Sequence, residues 1–478
     1  MTISNTDKNL NPYILNRFLS WGIPLAIAFS YCILVFQADL RLSIAALAGA
    51  TALIMVLLSI ALYLGETRGI GWSPRVIIIT ATVFRLMFLF RSPELSDDIY
   101  RYLWDGLAVL HDNNPYAFAP SDVKPLAAES AALLGHVNHP HLVTIYPPAA
   151  QIIFAVGAFL GGISGIKAVL VALDIAVCAV MLRLLSQMKM PPSRAALYAW
   201  HPLPILEIAS SGHIDGAGIF FLMLAFMLLV PRKNNPDISP SNNDAAPAAA
   251  GVAFSFAVLI KLFPMVFFPA FLFLTGRKGM KPFIFGAAIG AAALTTPFLP
   301  GLYNIFTTLD IYVRNWEFAG FVFQSLHKIF PSGSTARQIL AVSFLLVMAV
   351  LYASLFRKRD NPAEDIDTPS LLPAAFNTAY CIALAFLLLT PTLHPWYALY
   401  LACLLPFVPG AAGLVMTWAV FLSYSVLIDF VLLGIWEEKD SVSAIIWGAT
   451  VGALILSWLA RKWELKISVR RKSPPCPT

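Results

Sequence analysis

The chain has 478 residues, 59% of them apolar and 12% charged, with a net charge of +6. Soluble domains carry roughly 45–50% apolar and about 25% charged residues, so this composition, with a mean hydropathy of +0.75, excludes an ordinary soluble globule. The basic residues lie mostly in short loops, where they set topology rather than meet nucleic acid. Strand-type alternation is absent, which argues against a transmembrane β-barrel.

The N-terminal stretch MTISNTDKNLNPY is polar and shows no cleavable signal pattern, so the first apolar run is expected to act as the insertion signal. Apolar runs predict membrane spans near 14–36, 43–64, 74–90, 166–187, 194–210, 214–231, 246–261, 262–276, 281–299, 338–356, 371–391, 394–408, 410–432 and 443–461. The pair around Lys261 reads as a broken helix or a re-entrant pair. Cys32, Cys178, Cys381 and Cys403 fall in these runs without metal or disulfide spacing and read as small core residues. The expected fold class is an all-α polytopic membrane protein of about 12–14 transmembrane helices, forming one domain over residues 1–478.

Sidedness follows from the basic loops. With Lys8 and Arg17 in the cytoplasm, Arg68–Arg75, Lys189–Arg194, Arg232–Lys233, Arg277–Lys281, Arg357–Arg359 and Arg461–Lys472 all fall inside. That holds only if the apolar segment Pro148–Gly162 does not cross. Its 15 residues fall short of the roughly 20 that a span needs, and it opens on two prolines and ends in glycines. Residues 91–165 are then a large external loop carrying amphipathic or re-entrant helices, and residues 231–247 a cytoplasmic linker.

The external segments hold the polar chemistry. In LSDDIYRYLWDG, a helix over 96–110 would put Asp98, Arg101 and Asp105 on one face, with Asp97 and Tyr100 partly elsewhere. Tyr100, Tyr102 and Trp104 suit the headgroup level. This pattern also fits a plain salt-bridged surface helix. HVNHPHLVTIYPP adds His136, His139, His141 and Tyr146; the three imidazoles fit either a metal site or polar loop packing. SSGHIDG brings His213 and Asp215 to the end of a span, with Glu207 one turn earlier inside it, where an ionisable group is a functional candidate because burial is costly. Lys261 either snorkels or faces an anionic substrate. YVRNWEFAGFVFQ supplies Arg314, Trp316 and Glu317; TPTLHPWYALY supplies His394, Trp396 and Tyr397, with Pro391 and Pro395 fixing the turn. Carboxylates, cations and aromatics gathered at one external mouth are what a sugar and a lipid phosphate require.

The ordered series SDDIYRYLWDG, NNPYAFAP, NHPHLVTIYPP, HPLPILEIASSGHIDG, KLFP, YVRNWEFAGFVF and TPTLHPWY resembles the polyprenyl-phosphate-sugar-dependent glycosyltransferases of the GT-C superfamily, and bacterial mannosyltransferase-like membrane proteins among them. The resemblance spans roughly residues 75–430. It implies a GT-C-like bundle, an acidic motif in the first external loop, and inverting transfer of a hexose, mannose first, from a polyprenyl-phosphate carrier to a lipid or glycan acceptor. It implies a bacterial inner-membrane setting with both termini cytoplasmic and the site on the periplasmic face. By the same resemblance Asp98, or its neighbour Asp97, is the base. His213, Asp215, Arg314, Trp316, His394, Trp396 and Tyr397 resemble the family's later external motifs and, with Lys261, are expected to contact the donor phosphate or sugar; Arg101, Asp105 and Tyr146, read from the residues themselves, are expected substrate contacts as well. Some members of the superfamily use a divalent metal and others do not; the expectation here is no metal and no cofactor. The competing readings are a transporter or flippase of a lipid-linked sugar, to which Asp174 and Arg183 inside a span would point, and a scaffold membrane protein.

Overall fold

The computed structural model describes residues 12–123, 128–230, 245–358 and 368–472. Most of the linker expected at 231–247 lies outside them; residues 245–247 open a helix. Fourteen helices organise the chain: α1 (Pro12–Val35), α2 (Ile44–Arg68), α3 (Pro74–Leu89), α4 (Asp98–Leu110), α5 (Pro148–Gln187), α6 (Asp215–Leu228) and α7 (Ala245–Ile260), then α8 (Phe268–Thr295), α9 (Asn304–Asn315), α10 (Phe321–Ile329), α11 (Gly333–Arg357), α12 (Thr368–Leu389), α13 (Ala411–Leu433) and α14 (Asp440–Lys472). Shorter turns such as Ala128–Leu134, Ala196–Ala199 and Leu399–Ala402 lie between them. No strand occurs among the described residues; the only extended pairing there is a bridge between Phe318–Ala319 and Thr392.

Among the described residues six helices are long and apolar enough to cross a membrane: α2, α5, α11, α12, α13 and α14; α1, α6 and α7 carry shorter apolar stretches. The expected spans 194–210 and 394–408 are broken helices. The first runs through short turns into a π-helical stretch, Ile205–Ser210, and the second through Pro395–Ala398 and Leu399–Ala402. Prolines at 202, 204 and 395 remove backbone donors and kink the chain. Irregular backbone is tolerated at membrane depth where protein covers it, and every residue from 195 to 219 is buried.

Helix α5 is two helices. Gly161 (φ 141°) and Gly162 (φ 65°) leave the helical region, conformations open to glycine alone at little cost. In a straight helix Gly157 and Ile166 would stand roughly 13 Å apart along the axis. Here a Cβ added to Gly157 would lie 2.6 Å from the Ile166 Cα, so the chain doubles back. The short arm, 148–160, also supports α4. A Cβ on Gly106 would fall 2.4 Å from the Phe154 carbonyl oxygen, and the Tyr102 and Phe154 rings stack at 4.4 Å. Tyr102 is fully buried and Trp104 nearly so, packed with Leu133 and Val137. Both are core residues, which corrects the expectation of headgroup anchors: the short arm and the 128–137 segment cover the faces that α4 would otherwise turn to lipid.

One fully buried ion pair fastens the bundle core. Arg85 Nε donates to Asp174 Oδ2 at 2.6 Å, both side chains fully buried, and Arg85 Nη1 donates to the Ala199 and Ala81 carbonyls. The Tyr198 hydroxyl donates to Asp174 Oδ1 at 2.6 Å. These bonds tie α3 to α5 and to the 196–199 turn. Asp174, which would have marked a transport path, is thus held on both oxygens by protein; Arg183 is exposed on the same helix.

Candidate functional site

At the C-terminal end of α3 the bundle opens into a cavity of 1410 Å³. Its first wall is the N-terminus of α4. Arg91 donates to the carbonyls of Val35 and Gln37 and to Glu94, and Glu94 accepts from the Leu40 N–H, which ties the 91–94 segment to the α1–α2 turn. Ser96 Oγ accepts from the Asp98 N–H at 3.3 Å as the helix starts. Both acids of the DD pair line the cavity. Asp97 is engaged by the Asn138 side-chain amide. Asp98, its side chain 24% exposed, faces His213 with Oδ2 3.8 Å from Nδ1. Its carboxyl is pushed up to about 6, first by burial and next by the neighbouring Asp97, while Lys261 and a Tyr146 hydrogen bond pull it down and Asp215 adds to the rise.

The second wall comes from the ends of α6 and α7. Asp215 opens α6 and is fully buried; Lys261 follows α7, and its Nζ lies 3.3 Å from Asp215 Oδ2. The ammonium sits 5.6 Å from the Tyr397 ring centre and 6.0 Å from that of Tyr146, distances at which an aromatic face stabilises a cation. The other oxygen of Asp215 and the Tyr400 hydroxyl have no hydrogen-bond partner, and both residues line the cavity. Arg101 lines it too. Its Nε donates to Asp105 at 2.8 Å and its Nη1 to the Leu142 carbonyl at 3.0 Å, leaving Nη2 without a partner.

The third wall is aromatic. Phe318, His394, Trp396 and His213 form a continuous stack, with successive ring centroids 4.8, 4.3 and 4.0 Å apart. The loop carrying Trp316 and Phe318 is pinned to the 390–396 turn: Phe318 N donates to the Pro391 carbonyl, Leu393 N to the Phe318 carbonyl, and Thr392 Oγ1 to the Trp316 carbonyl. Trp316 stacks on Tyr312, whose hydroxyl bonds that of Tyr397.

Ten of the thirteen residues expected to act as base or substrate contact therefore line one hollow: Asp97, Asp98, Arg101, Tyr146, Asp215, Lys261, Trp316, His394, Trp396 and Tyr397. Three do not. Asp105 is buried behind the wall, bonded to Arg101 and to Gln151, so it holds the arginine rather than reaching a substrate. His213 is wholly buried beneath Asp98. Arg314 points outward from α9, its side chain 73% exposed and paired with Asp310 one turn earlier, because the cavity-facing positions of that helix are Thr308, Leu309, Tyr312 and Val313.

The three loop histidines do not converge on one point: His139 and His141 meet edge to face at 6.1 Å, and His136 packs elsewhere. His136 stacks on Tyr100, and His139 packs edge-on against Trp316. Among the described residues no group of three or more His, Cys, Asp or Glu side chains converges to hold a metal ion. Tyr312, Tyr424 and Asn138 also line the cavity and were not singled out; Tyr424 lies in an apolar run, where nothing local distinguishes it from a core residue.

Residues 18–277 match the model of a family described as alpha-(1->6)-mannopyranosyltransferase, N-terminal domain. No curated protein matches the chain.

Proposed function

Because the chain belongs to the alpha-(1->6)-mannopyranosyltransferase family, a GT-C type, and so is a membrane glycosyltransferase that moves a mannosyl group from a donor to an acceptor, we propose that its donor is a polyprenyl-phosphate sugar and that transfer occurs in the cavity below α4. The acceptor is a lipid or glycan hydroxyl, and the anomeric centre is inverted. Asp98 takes the proton from that hydroxyl as its oxygen attacks the anomeric carbon. The bond to the phosphate breaks with its electron pair leaving on the lipid phosphate. Lys261, with Arg101, stabilises the charge that accumulates there. A lipid phosphate leaves readily, so base assistance and charge stabilisation are the two contributions required. Asp97, held by Asn138, orients the acceptor or its neighbour. Tyr146, Asp215, Trp316, His394, Trp396 and Tyr397 form the sugar and carrier surface.

One observation carries this reading: a part-exposed carboxylate, Asp98, and a lysine, Lys261, line the same hollow, each inside an aromatic surround. The basic loops support a site on the external face with both termini cytoplasmic; the bacterial inner-membrane setting rests on the family resemblance. The reading needs no metal.

The test is transfer in proteoliposomes with a panel of polyprenyl-phosphate sugars, a nucleotide sugar alone, and a chelator arm. The expected result is mannosyl transfer from the lipid-linked donor, unaffected by chelation and abolished in Asp98→Asn. Transfer from the nucleotide sugar, loss on chelation, or an active Asp98→Asn would each remove the corresponding part of the reading.

A further inference from the structure

Behind the cavity wall His213 stands between two carboxylates. Its Nδ1 is 3.8 Å from Asp98 Oδ2 and its Nε2 is 3.4 Å from Glu207 Oε2. The ring is fully buried, stacked on Trp396 at 4.0 Å, and neither nitrogen has a closer partner. Glu207 is fully buried as well. The Tyr424 hydroxyl reaches both of its oxygens, at 2.9 and 3.0 Å, and among the described residues no lysine or arginine pairs with it. The backbone holds the two residues together: the His213 N–H donates to the Glu207 carbonyl at 2.8 Å, across a turn in which Gly212 has φ 80°.

A neutral imidazole has one N–H and one lone pair. Between two carboxyl groups it can donate to only one and must accept from the other. Glu207, with no cation beside it in an apolar core, is the group for which a charge is most costly. Asp98 opens on the cavity. The arrangement satisfied throughout has the Glu207 hydroxyl donating to Nε2, Tyr424 donating to the remaining Glu207 oxygen, and Nδ1–H donating to Asp98. We infer that Glu207 and His213 are positioning residues for the transfer reaction: protonated Glu207 fixes the His213 tautomer, and His213 donates to Asp98, holding it ionised and aimed at the acceptor. This rests on the reading of Asp98 as base. The approach at 3.8 Å closes when substrate fills the cavity, as catalytic hydrogen bonds often do.

Other groups face the line. Asp98 is met by Asp97, Tyr146, Asp215 and Lys261, and it lies close enough to Tyr312, Tyr397 and Tyr424 to act on them. Lys261 and His394 face His213, and Asp215 faces Glu207. Of these only Tyr424 loses a hydrogen-bond partner, in Glu207→Leu; His213→Phe leaves every one of these side chains in place, so a change in its pH profile reports the line itself.

The experiment is the pH dependence of kcat and KM in proteoliposomes for His213→Phe, which keeps the ring stack on Trp396 and removes both nitrogens, and for Glu207→Leu and Glu207→Gln. The expected result for His213→Phe and Glu207→Leu is a kcat lower by about ten- to hundredfold, near the low end of the range for general-base assistance, with KM held within about twofold. The acid limb should move to higher pH. Glu207→Gln, whose amide N–H can donate to Nε2 as the acid does, should recover most of the kcat lost in Glu207→Leu and keep the wild-type midpoint. An unmoved acid limb in His213→Phe overturns the inference, as does a Glu207→Gln enzyme as impaired as Glu207→Leu. An active Asp98→Asn instead removes the base assignment beneath it. If Glu207→Leu does not fold, His213→Phe and Glu207→Gln still decide.

Discussion

Two clusters of buried charge in this protein differ in one respect. In the core, Asp174 is engaged on both oxygens by Arg85 and Tyr198, all three side chains fully buried, and Arg85 Nη2 is left without a partner. At the cavity, the charges are only half engaged. Lys261 holds one oxygen of Asp215 and leaves the other free, Arg101 keeps an unpartnered nitrogen, and Asp98 faces an imidazole at 3.8 Å. An open valence sealed inside the bundle meets nothing, and the pair is a fastener; one that faces a hollow retains capacity for a ligand. Ionisable residues in apolar helices are functional candidates by default, and whether their open valences face a cavity separates the fastener from the site.

The sharpest way to break this contrast is Asp98→Asn, which should reduce transfer by about 10²–10⁴, the usual cost of a lost general base. The wild-type acid limb should have its midpoint near 6, with activity rising as pH climbs through it, because the ionised carboxyl is the working form. Since that carboxyl sits above its ordinary value in the folded protein, it binds a proton more tightly there than in the unfolded chain. Its contribution to stability therefore falls as pH rises from the ordinary aspartate range to about 6, and Asp98→Asn should flatten that slope while losing activity. Asp174→Ala should behave in the opposite way, costing about 3–5 kcal/mol by stranding Arg85 in the core, read as a lower thermal midpoint in detergent, with KM unchanged in whatever folds. Next in size is the double change Lys261→Met with Asp215→Asn, which leaves no lone charge buried. It should raise KM for the lipid-linked donor by about tenfold, the scale of one charged hydrogen bond. Smallest is Arg314→Ala. Its exposed pair with Asp310 is worth about 0–1 kcal/mol, and transfer kinetics should match wild type; a large loss there would mean that α9 turns its outer face to substrate.

Much of this contrast could be read from sequence, and the failures share a cause. Length, apolarity and loop charge predict a helical membrane bundle, and the order of the polar motifs identifies ten residues that share a hollow. Asp105 and Arg314 fail because a residue's type and loop do not reveal which way its helix is turned; that is set by the packing of α4 on the short arm of α5 and by the side of α9 that meets the cavity. Tyr102 and Trp104 resemble interface anchors until the partner that buries them is known. Glu207 stands out as an acid inside a span, but its partner Tyr424 lies 217 residues away, beyond any local pattern. The broken helices at 202–210 and 395–402 are announced by their prolines, though not the π-helical path that brings His213 under Asp98.

The reversal at Gly161–Gly162 has a consequence for the whole second half of the chain. A straight helix of 40 residues would be about 60 Å long, twice the hydrocarbon thickness of roughly 30 Å. Two glycines divide it instead into a stub and a rod, and in the proposed orientation they decide parity: with the stub turned back, the rod would enter from the same leaflet, and every later segment would inherit its address from that turn. A cysteine placed at Leu160 should be unreactive to a thiol reagent confined to the cytoplasmic side, while a bulky pair at 161–162 that straightened the bend would deliver His213, Lys261 and His394 to the leaflet opposite Asp98, leaving each intact and none able to meet.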